Sequence, residues 1–280
     1  MNINSVINEA TLILKKNFIK TAQLDSEILL AQVINKSREY IILNQDIIIR
    51  QDSYNFFKDL IKKRSTGKPI AYLTGKKDFW KYQFQINEHV LIPRPDTEII
   101  VEQVLKITKT KSNLRVLDIG IGSGCILLSV LKERKDFRGI GIDISKESIE
   151  ISKINACNLR LLNRVKILKT NVDNFNYGKY DLIISNPPYI KKLDLNYLDK
   201  GVINFEPKIA LNGGLDGTSI ISTVVKKSSE LIKKNGRLIL EISFNQKERV
   251  KKILISKGFY INKILKDYAK NDRCIICTKI

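Results

Sequence analysis

The chain has 280 residues, 43% hydrophobic and 28% charged, enough for one sizeable core and a small second domain. No apolar run approaches the ~20 residues of a membrane span, and the opening MNINSVINEATLILKK has neither a long apolar core nor a small-residue cleavage site; a cytoplasmic protein without a membrane partner is expected. The net charge of +20 raises nucleic acid as a partner, but the Lys and Arg residues are spread among Ile and Asn, as a compositional bias also produces.

Residues 1–66 read as a helical domain. Apolar positions recur at helical spacing through 6–18, 24–34 and 56–61, and Asp52 or Ser53 can cap the last of these. Packing alone accounts for such a bundle; a separate domain ahead of a catalytic one is also a plausible docking surface. Residues 67–95 read as a linker followed by a hairpin, with Trp80, Tyr82, Phe84 and Ile86 alternating against Lys81, Gln83 and Gln85. Pro93 and Pro95 stop regular structure, and Asp96-Thr97 starts a helix to about residue 107. Arg94 and Asp96 either line the mouth of an active site or serve as the charges of a hinge.

From residue 96 to 280 a third region follows. Strands and helices alternate there: strand 114–118, helix to 134, strand 138–143, helix 146–158, strands 164–169 and 180–185, helix 217–234, strand 237–243, helix 246–257, strands 259–266 and 273–279. This is an α/β pattern, a mostly parallel sheet covered on both faces. Open sheets of this kind bind ligands at the C-terminal ends of their strands.

Three strand ends carry candidate chemistry. Residues 115–124, RVLDIGIGSG, run from an apolar strand into a turn in which Gly120, Gly122 and Gly124, with Ile121 and Ser123 between them, let backbone approach a ligand closely. The spacing is G-x-G-x-G with Cys125 next, which argues against the nicotinamide and flavin fingerprint. The next strand ends at Asp143, placed to accept both hydroxyls of a ribose. Residues 181–190, DLIISNPPYI, end a buried strand in Asn186-Pro187-Pro188-Tyr189. The prolines carry no N–H, so carbonyls on this turn can face a ligand without competing donors. The Asn186 side-chain oxygen and the Pro187 carbonyl can each take one proton of a planar NH2 group while the Tyr189 ring lies on its face.

The four cysteines indicate buried free thiols and no metal site. Cys274 and Cys277 fall at i and i+3 of a strand and point to opposite faces, Cys125 and Cys157 fall in helices, and His89 is the only histidine.

The pairing of DIGIGSG with NPPY resembles the class I S-adenosylmethionine-dependent methyltransferases that act on planar nitrogens. GKPIAYLTG at 67–75, LIPRPDTE at 91–98, FEPKIALNGGLDG at 205–217 and KDYAKNDR at 266–273 narrow this to a resemblance to the HemK/PrmC family, the protein-(glutamine-N5) methyltransferases of peptide chain release factors, from about residue 25 to the end. The resemblance implies a Rossmann-like, mostly parallel seven-stranded sheet whose last strand is antiparallel, with the helical domain docking the partner.

It also implies S-adenosyl-L-methionine as cofactor, held by Gly120, Ile121, Gly122, Ser123, Gly124, Asp143, Asn171, Val172 and Asn186. Asn186, Pro187, Pro188 and Tyr189 would hold the glutamine of a GGQ loop, and Asn186, Pro187 and Tyr189 would be catalytic. The expected enzyme is a monomer that needs no direct nucleic-acid contact. Methylation of adenine or cytosine in nucleic acid, or of a ribosomal-protein glutamine, are the alternatives. Three positions depart from the family pattern: Ile121 where threonine is common, Asn171 where an Asp often faces the adenine unless Asp173 takes that role, and Ser243 where a glycine is expected.

Overall fold

The N-terminal helices form where the sequence supplies both an apolar stripe and a cap. Asn2 caps α1 (Ile3–Lys16) by accepting from the Ser5 N–H, and the stripe Ile3, Val6, Ile7, Ala10 and Leu14 is buried. It joins Leu29, Leu30, Phe57, Leu60 and Ile61 from α2 (Ala22–Val33) and α4 (Gln51–Ser65) in one core; α3 (Arg38–Leu43) and α5 (Ile70–Thr74) are short. Buried Asp25 accepts from Thr21 at 2.8 Å and pairs with Arg64 at 2.7 Å, tying α2 to α4. Because α4 starts at Gln51 with Arg50 at its cap position, Asp52 and Ser53 lie inside its first turn and cap nothing. Asp52 there complements the helix dipole.

The computed structural model describes residues 1–280 and divides them into two units: Met1–Lys76 with Asp199–Phe205, and Lys77–Leu198 with Glu206–Ile280. The helical unit therefore continues through α5, a stretch read from sequence as linker, and takes in a segment from far down the chain.

A hairpin of β1 (Lys76–Phe79) and β2 (Tyr82–Gln85) follows, and all of it but Lys76 belongs to the second unit. Trp80 sits in the turn with φ of 58°, not on a strand, and its indole N–H donates to Glu133 at 3.0 Å. After α6 (Glu98–Ile107) come β3 (Arg115–Ile119), α7 (Cys125–Glu133), β4 (Arg138–Asp143), α8 (Lys146–Asn158), β5 (Val165–Lys169) and β6 (Tyr180–Ser185). The single turn α9 (Lys200–Ile203) belongs to the helical unit; α10 (Ser219–Leu231), β7 (Ile232–Glu241), α11 (Lys247–Ser256), β8 (Phe259–Lys266) and β9 (Asp272–Lys279) complete the second.

The strands form one seven-stranded sheet in the order β5-β4-β3-β6-β7-β9-β8, parallel except for β9. Alternating side chains enter two cores. Val116 and Leu182 face Ile100, Leu127, Leu131 and Ile149, while Leu117 and Ile183 face Ile221, Val225, Leu231 and Leu254. Cys274 enters the first core and Cys277 the second; Cys125 is buried, whereas Cys157 is exposed, contrary to the sequence reading of buried thiols.

β7 starts earlier than its apolar run predicts. Ile232 pairs with Tyr180, the register then shifts, and pairing resumes at Arg237 opposite Leu182, with Asn235 at φ 62° between them.

Candidate active site

Strand order reverses between β3 and β6, and the parallel registers bring five strand ends into line there. Ile119 lies opposite both Ile142 and Ser185, Asp143 opposite Lys169, and Ser185 opposite Leu240. The residues that follow, Gly120, Asn171, Asn186 and Glu241, with Asp143 itself, therefore share the C-terminal edge of the sheet.

The glycine turn is built by its backbone. Gly120, Gly122 and Gly124 have φ of 79°, 54° and 83°, and a Cβ added at Gly120 or Gly122 would meet no atom within 4 Å, so the floor above them is open. The Gly120 and Ile121 N–H groups both donate to the Ile142 carbonyl at 2.9 Å. Asp143 accepts from Gly122 N–H and from Ser145 N–H at 2.9 Å each, so it braces the turn and keeps acceptor capacity for a ligand. Burial raises its pKa. The Ile121 side chain turns away into the core and packs over Gly141; only its backbone faces the turn. That placement accounts for an apolar residue where a threonine is common. Ser123 is buried, and its carbonyl accepts from Asn155, which also exchanges hydrogen bonds with the Gln85 backbone.

Asn171 is exposed, and its side chain accepts from its own turn at the Asp173 N–H, 3.1 Å away; Asp173 is exposed as well, and Val172 is half-buried against the second core.

Two carboxylates missed in the sequence complete this edge. Asp118, the first residue of the DIGIGSG motif, is 1% exposed with no hydrogen-bond partner on either oxygen. Burial, then the charge of Asp143, pushes its pKa up to about 8, opposed by the Leu127 backbone N–H. Glu241 ends β7, and burial pushes it up to about 7. An acid inside a buried parallel strand, and an acid at a strand end, were the available signals.

The NPPY turn is clamped from behind. The Asn186 NH2 donates to Thr97 Oγ1 at 3.3 Å, while Asn186 Oδ1 and the Pro187 carbonyl take no hydrogen bond from the chain. Pro187 is buried, and Pro188 and Tyr189 are half-buried. The Tyr189 hydroxyl donates to Glu241 Oε1 at 3.4 Å, and burial raises its pKa.

The FEPKIALNGGLDG segment packs directly on this turn. Ile190 N–H donates to the Leu211 carbonyl and Gly213 N–H to the Ile190 carbonyl, and a Cβ at Gly213 would lie 2.8 Å from Tyr189 Cα. Gln246 donates to the carbonyls of Tyr189 and Gly217, and its Oε1 accepts from the Ser243 N–H at 3.1 Å. Ser243 has no positive φ, so no glycine is needed there. Arg94 pairs with buried Glu206 at 2.5 Å, joining LIPRPDTE to FEPK, which is the structural one of its two expected roles.

The PrmC N-terminal domain model matches residues 5–75 and the methyltransferase small domain model residues 96–203. A release factor glutamine methyltransferase of Clostridium acetobutylicum is 36% identical, over 100% of this chain and 99% of its own length. Another, of Buchnera aphidicola, is 38% identical over the whole of both chains. The chain belongs to the release factor glutamine methyltransferase family.

A bifunctional methyltransferase of Rickettsia conorii is 34% identical over this whole chain, which spans 58% of that relative's length. Among solved structures, a methyltransferase from Pyrococcus furiosus aligns with TM-score 0.54 at 16% identity, over 79% of this chain and 97% of its own. The ribosomal protein L11 methylase from Lactobacillus delbrueckii aligns with TM-score 0.51 at 18%, over 73% and 92%. Both share the fold, that of class I S-adenosylmethionine-dependent methyltransferases. The cradle fits the family's cofactor: the unpartnered Asp118 suits a cationic group, and the open floor at Gly120 and Gly122 suits a close backbone approach.

Proposed function

We propose that this protein methylates the side-chain amide nitrogen, N5, of the glutamine in the GGQ motif of peptide chain release factors, acting as a monomer in the cytoplasm. The observation that carries the reading is the state of Asn186: its NH2 is spent on Thr97, so Oδ1 and the neighbouring Pro187 carbonyl are two uncommitted acceptors on one rigid turn. Two acceptors side by side match the two protons of a carboxamide NH2.

Bound S-adenosyl-L-methionine supplies an electrophilic methyl group on a sulfonium. The Gly120–Gly124 turn, Asp118, Asp143, Asn171 and Val172 hold it. A carboxamide nitrogen shares its lone pair with its carbonyl and is a poor nucleophile, so positioning carries the catalysis. Asn186 and Pro187 fix the NH2 plane, stabilise the positive charge that develops on nitrogen, and favour loss of amide conjugation. The Tyr189 ring covers the amide face. The nitrogen becomes acidic as it is alkylated and loses its proton afterwards, so the turn needs no general base.

The helical unit, matched by the PrmC N-terminal domain model, is the docking surface for the partner. Labelled methyl transfer to a purified release factor, to the same factor with GGQ changed to GGA, and to total RNA and DNA tests the reading. Label on the GGQ protein alone is expected; label on nucleic acid, or equal label on the GGA form, would overturn it.

A further inference from the structure

Glu241 is the one acid at the NPPY turn that the clamp itself does not use. It stands beside Asn186 because Leu240 and Ser185 are register partners on adjacent parallel strands. It is 2% exposed; Oε1 accepts from the Tyr189 hydroxyl, and Oε2 has no partner. The Thr97 hydroxyl favours the charged form of this carboxyl, although no hydrogen bond joins the two in this structure. That same hydroxyl oxygen accepts from Asn186, so its proton remains to be donated.

A primary amide can present either its oxygen or its NH2, and only its partner decides which. A Thr97 whose proton is held elsewhere offers Asn186 lone pairs alone, so Asn186 must turn its NH2 inward and its Oδ1 outward. We propose that Glu241 is a positioning residue: the terminal acceptor of a relay, Asn186 NH2 to Thr97 hydroxyl to Glu241 carboxylate, with Tyr189 as its second donor, that fixes the Asn186 amide with Oδ1 toward the substrate. With Gln at 241, an NH2 aimed at Thr97 frees the threonine proton for Asn186 Oδ1. The amide can then flip and present a donor to a donor, which blocks the substrate NH2.

The relay needs the carboxylate. Burial pushes Glu241 up to about 7, opposed by Thr97, Arg273 and Tyr189 and assisted by Asp96. Its other titratable neighbours, Cys125 and Cys274, are both buried thiols raised by burial and stay neutral. Arg273 is itself held by Asp267 at 2.9 Å. Protonation of Glu241 puts an O–H on the carboxyl that can be aimed at Thr97, as the NH2 of Gln can, so the transfer rate should rise with pH through about 7.

This inference rests on the amide-clamp reading above. Its test is single-turnover methyl transfer by the full chain to a purified release factor at saturating cofactor, for the parent, E241Q, T97V and the double variant. Saturating cofactor keeps the titration of Asp118 out of the rate. E241Q should slow transfer at least about tenfold, leave S-adenosylhomocysteine affinity within about threefold, and lose the parent's acid limb. T97V breaks the relay in the middle and keeps the charge, so it should slow transfer as much, and the double variant should be no slower than either. If E241Q fails to fold, T97V decides alone. Parent activity with E241Q or T97V within about twofold, or an acid limb that survives in E241Q, overturns the relay and leaves the function standing. A parent that does not modify the GGQ glutamine overturns both.

Discussion

Gly141→Ala probes how the cofactor turn is held. A Cβ at Gly141 would lie 2.1 Å from Ile121 Cδ1, 3.0 Å from its Cγ1 and 3.1 Å from its Cβ. The closest of these is far inside van der Waals contact, so Ile121 must leave its rotamer or move the turn that carries it. Overpacking of this kind costs about 1–3 kcal/mol, which for a unit of this size lowers the melting temperature by roughly 2–10 °C.

Ile121→Val deletes the Cδ1 atom that makes the 2.1 Å contact and by itself costs about 0.5–1.5 kcal/mol. The double variant should recover part of the loss, giving a favourable coupling of about 1 kcal/mol or more. Melting curves give the stability term. Calorimetric titration with S-adenosylhomocysteine gives the turn's, and Gly141→Ala should weaken binding more than Ile121→Val. Strict additivity of the two stability changes would refute the packing account of Ile121, and unchanged affinity in Gly141→Ala would refute the claim that β4 positions the turn.

Asp143→Ala should weaken S-adenosylmethionine binding by roughly 1.5–3 kcal/mol, the scale for a lost charged acceptor; calorimetric titration with unchanged affinity removes Asp143 from the site. Asp118, held at about 8, is largely protonated at neutral pH in the free protein, so taking up a cationic group should expel a proton and affinity should rise with pH through about 8. Titrations in buffers of differing ionisation enthalpy read that proton, and Asp118→Asn should abolish it.

The raised values of Asp118 and Glu241 also set a stability slope. The native state keeps protons that the unfolded chain has released above about pH 4, so stability of the free protein is fully present below that and is lost as pH rises toward 7 and 8. The slope is at most ~1.4 kcal/mol per pH unit per group, and urea midpoints of parent and Asp118→Asn that run parallel with pH would contradict it.

The sheet was legible because buried parallel strands announce themselves as apolar runs bounded by turn residues, and β4, α8 and β6 lie where the pattern placed them. Where the signal is not apolar, the reading failed. The early part of β7, Lys233 to Gly236, is polar and lies within the register shift, between the pairing of Ile232 and that of Arg237. Trp80 satisfied an alternating pattern yet occupies a positive-φ turn, held there by Glu98 and Glu133 from outside its own stretch. Asp199–Phe205 joins the helical unit through contacts that no local pattern encodes.

At the site, the glycine turn, Asp143 and NPPY were readable as local motifs. Thr97, Asn155, Gln246 and Glu241 act through partners 29 to 89 positions away, beyond the reach of spacing. Asp118 stood in plain view and was passed over as part of a strand, although a lone acid there has to answer for its burial.

The central claim is that a carboxamide nitrogen accepts the methyl group at the Asn186 clamp. Asn186→Ala deletes one of the two uncommitted acceptors, so transition-state stabilisation should fall by about 2–4 kcal/mol, seen in turnover and not in cofactor binding. The direct measurement is single-turnover transfer to a release factor at saturating cofactor, with fragmentation of the product peptide to locate the added group. The account predicts one methyl on the glutamine side-chain nitrogen of GGQ, formed at least about thirtyfold more slowly by Asn186→Ala. A methyl on another residue, or an Asn186→Ala rate within a fewfold of the parent, would contradict it.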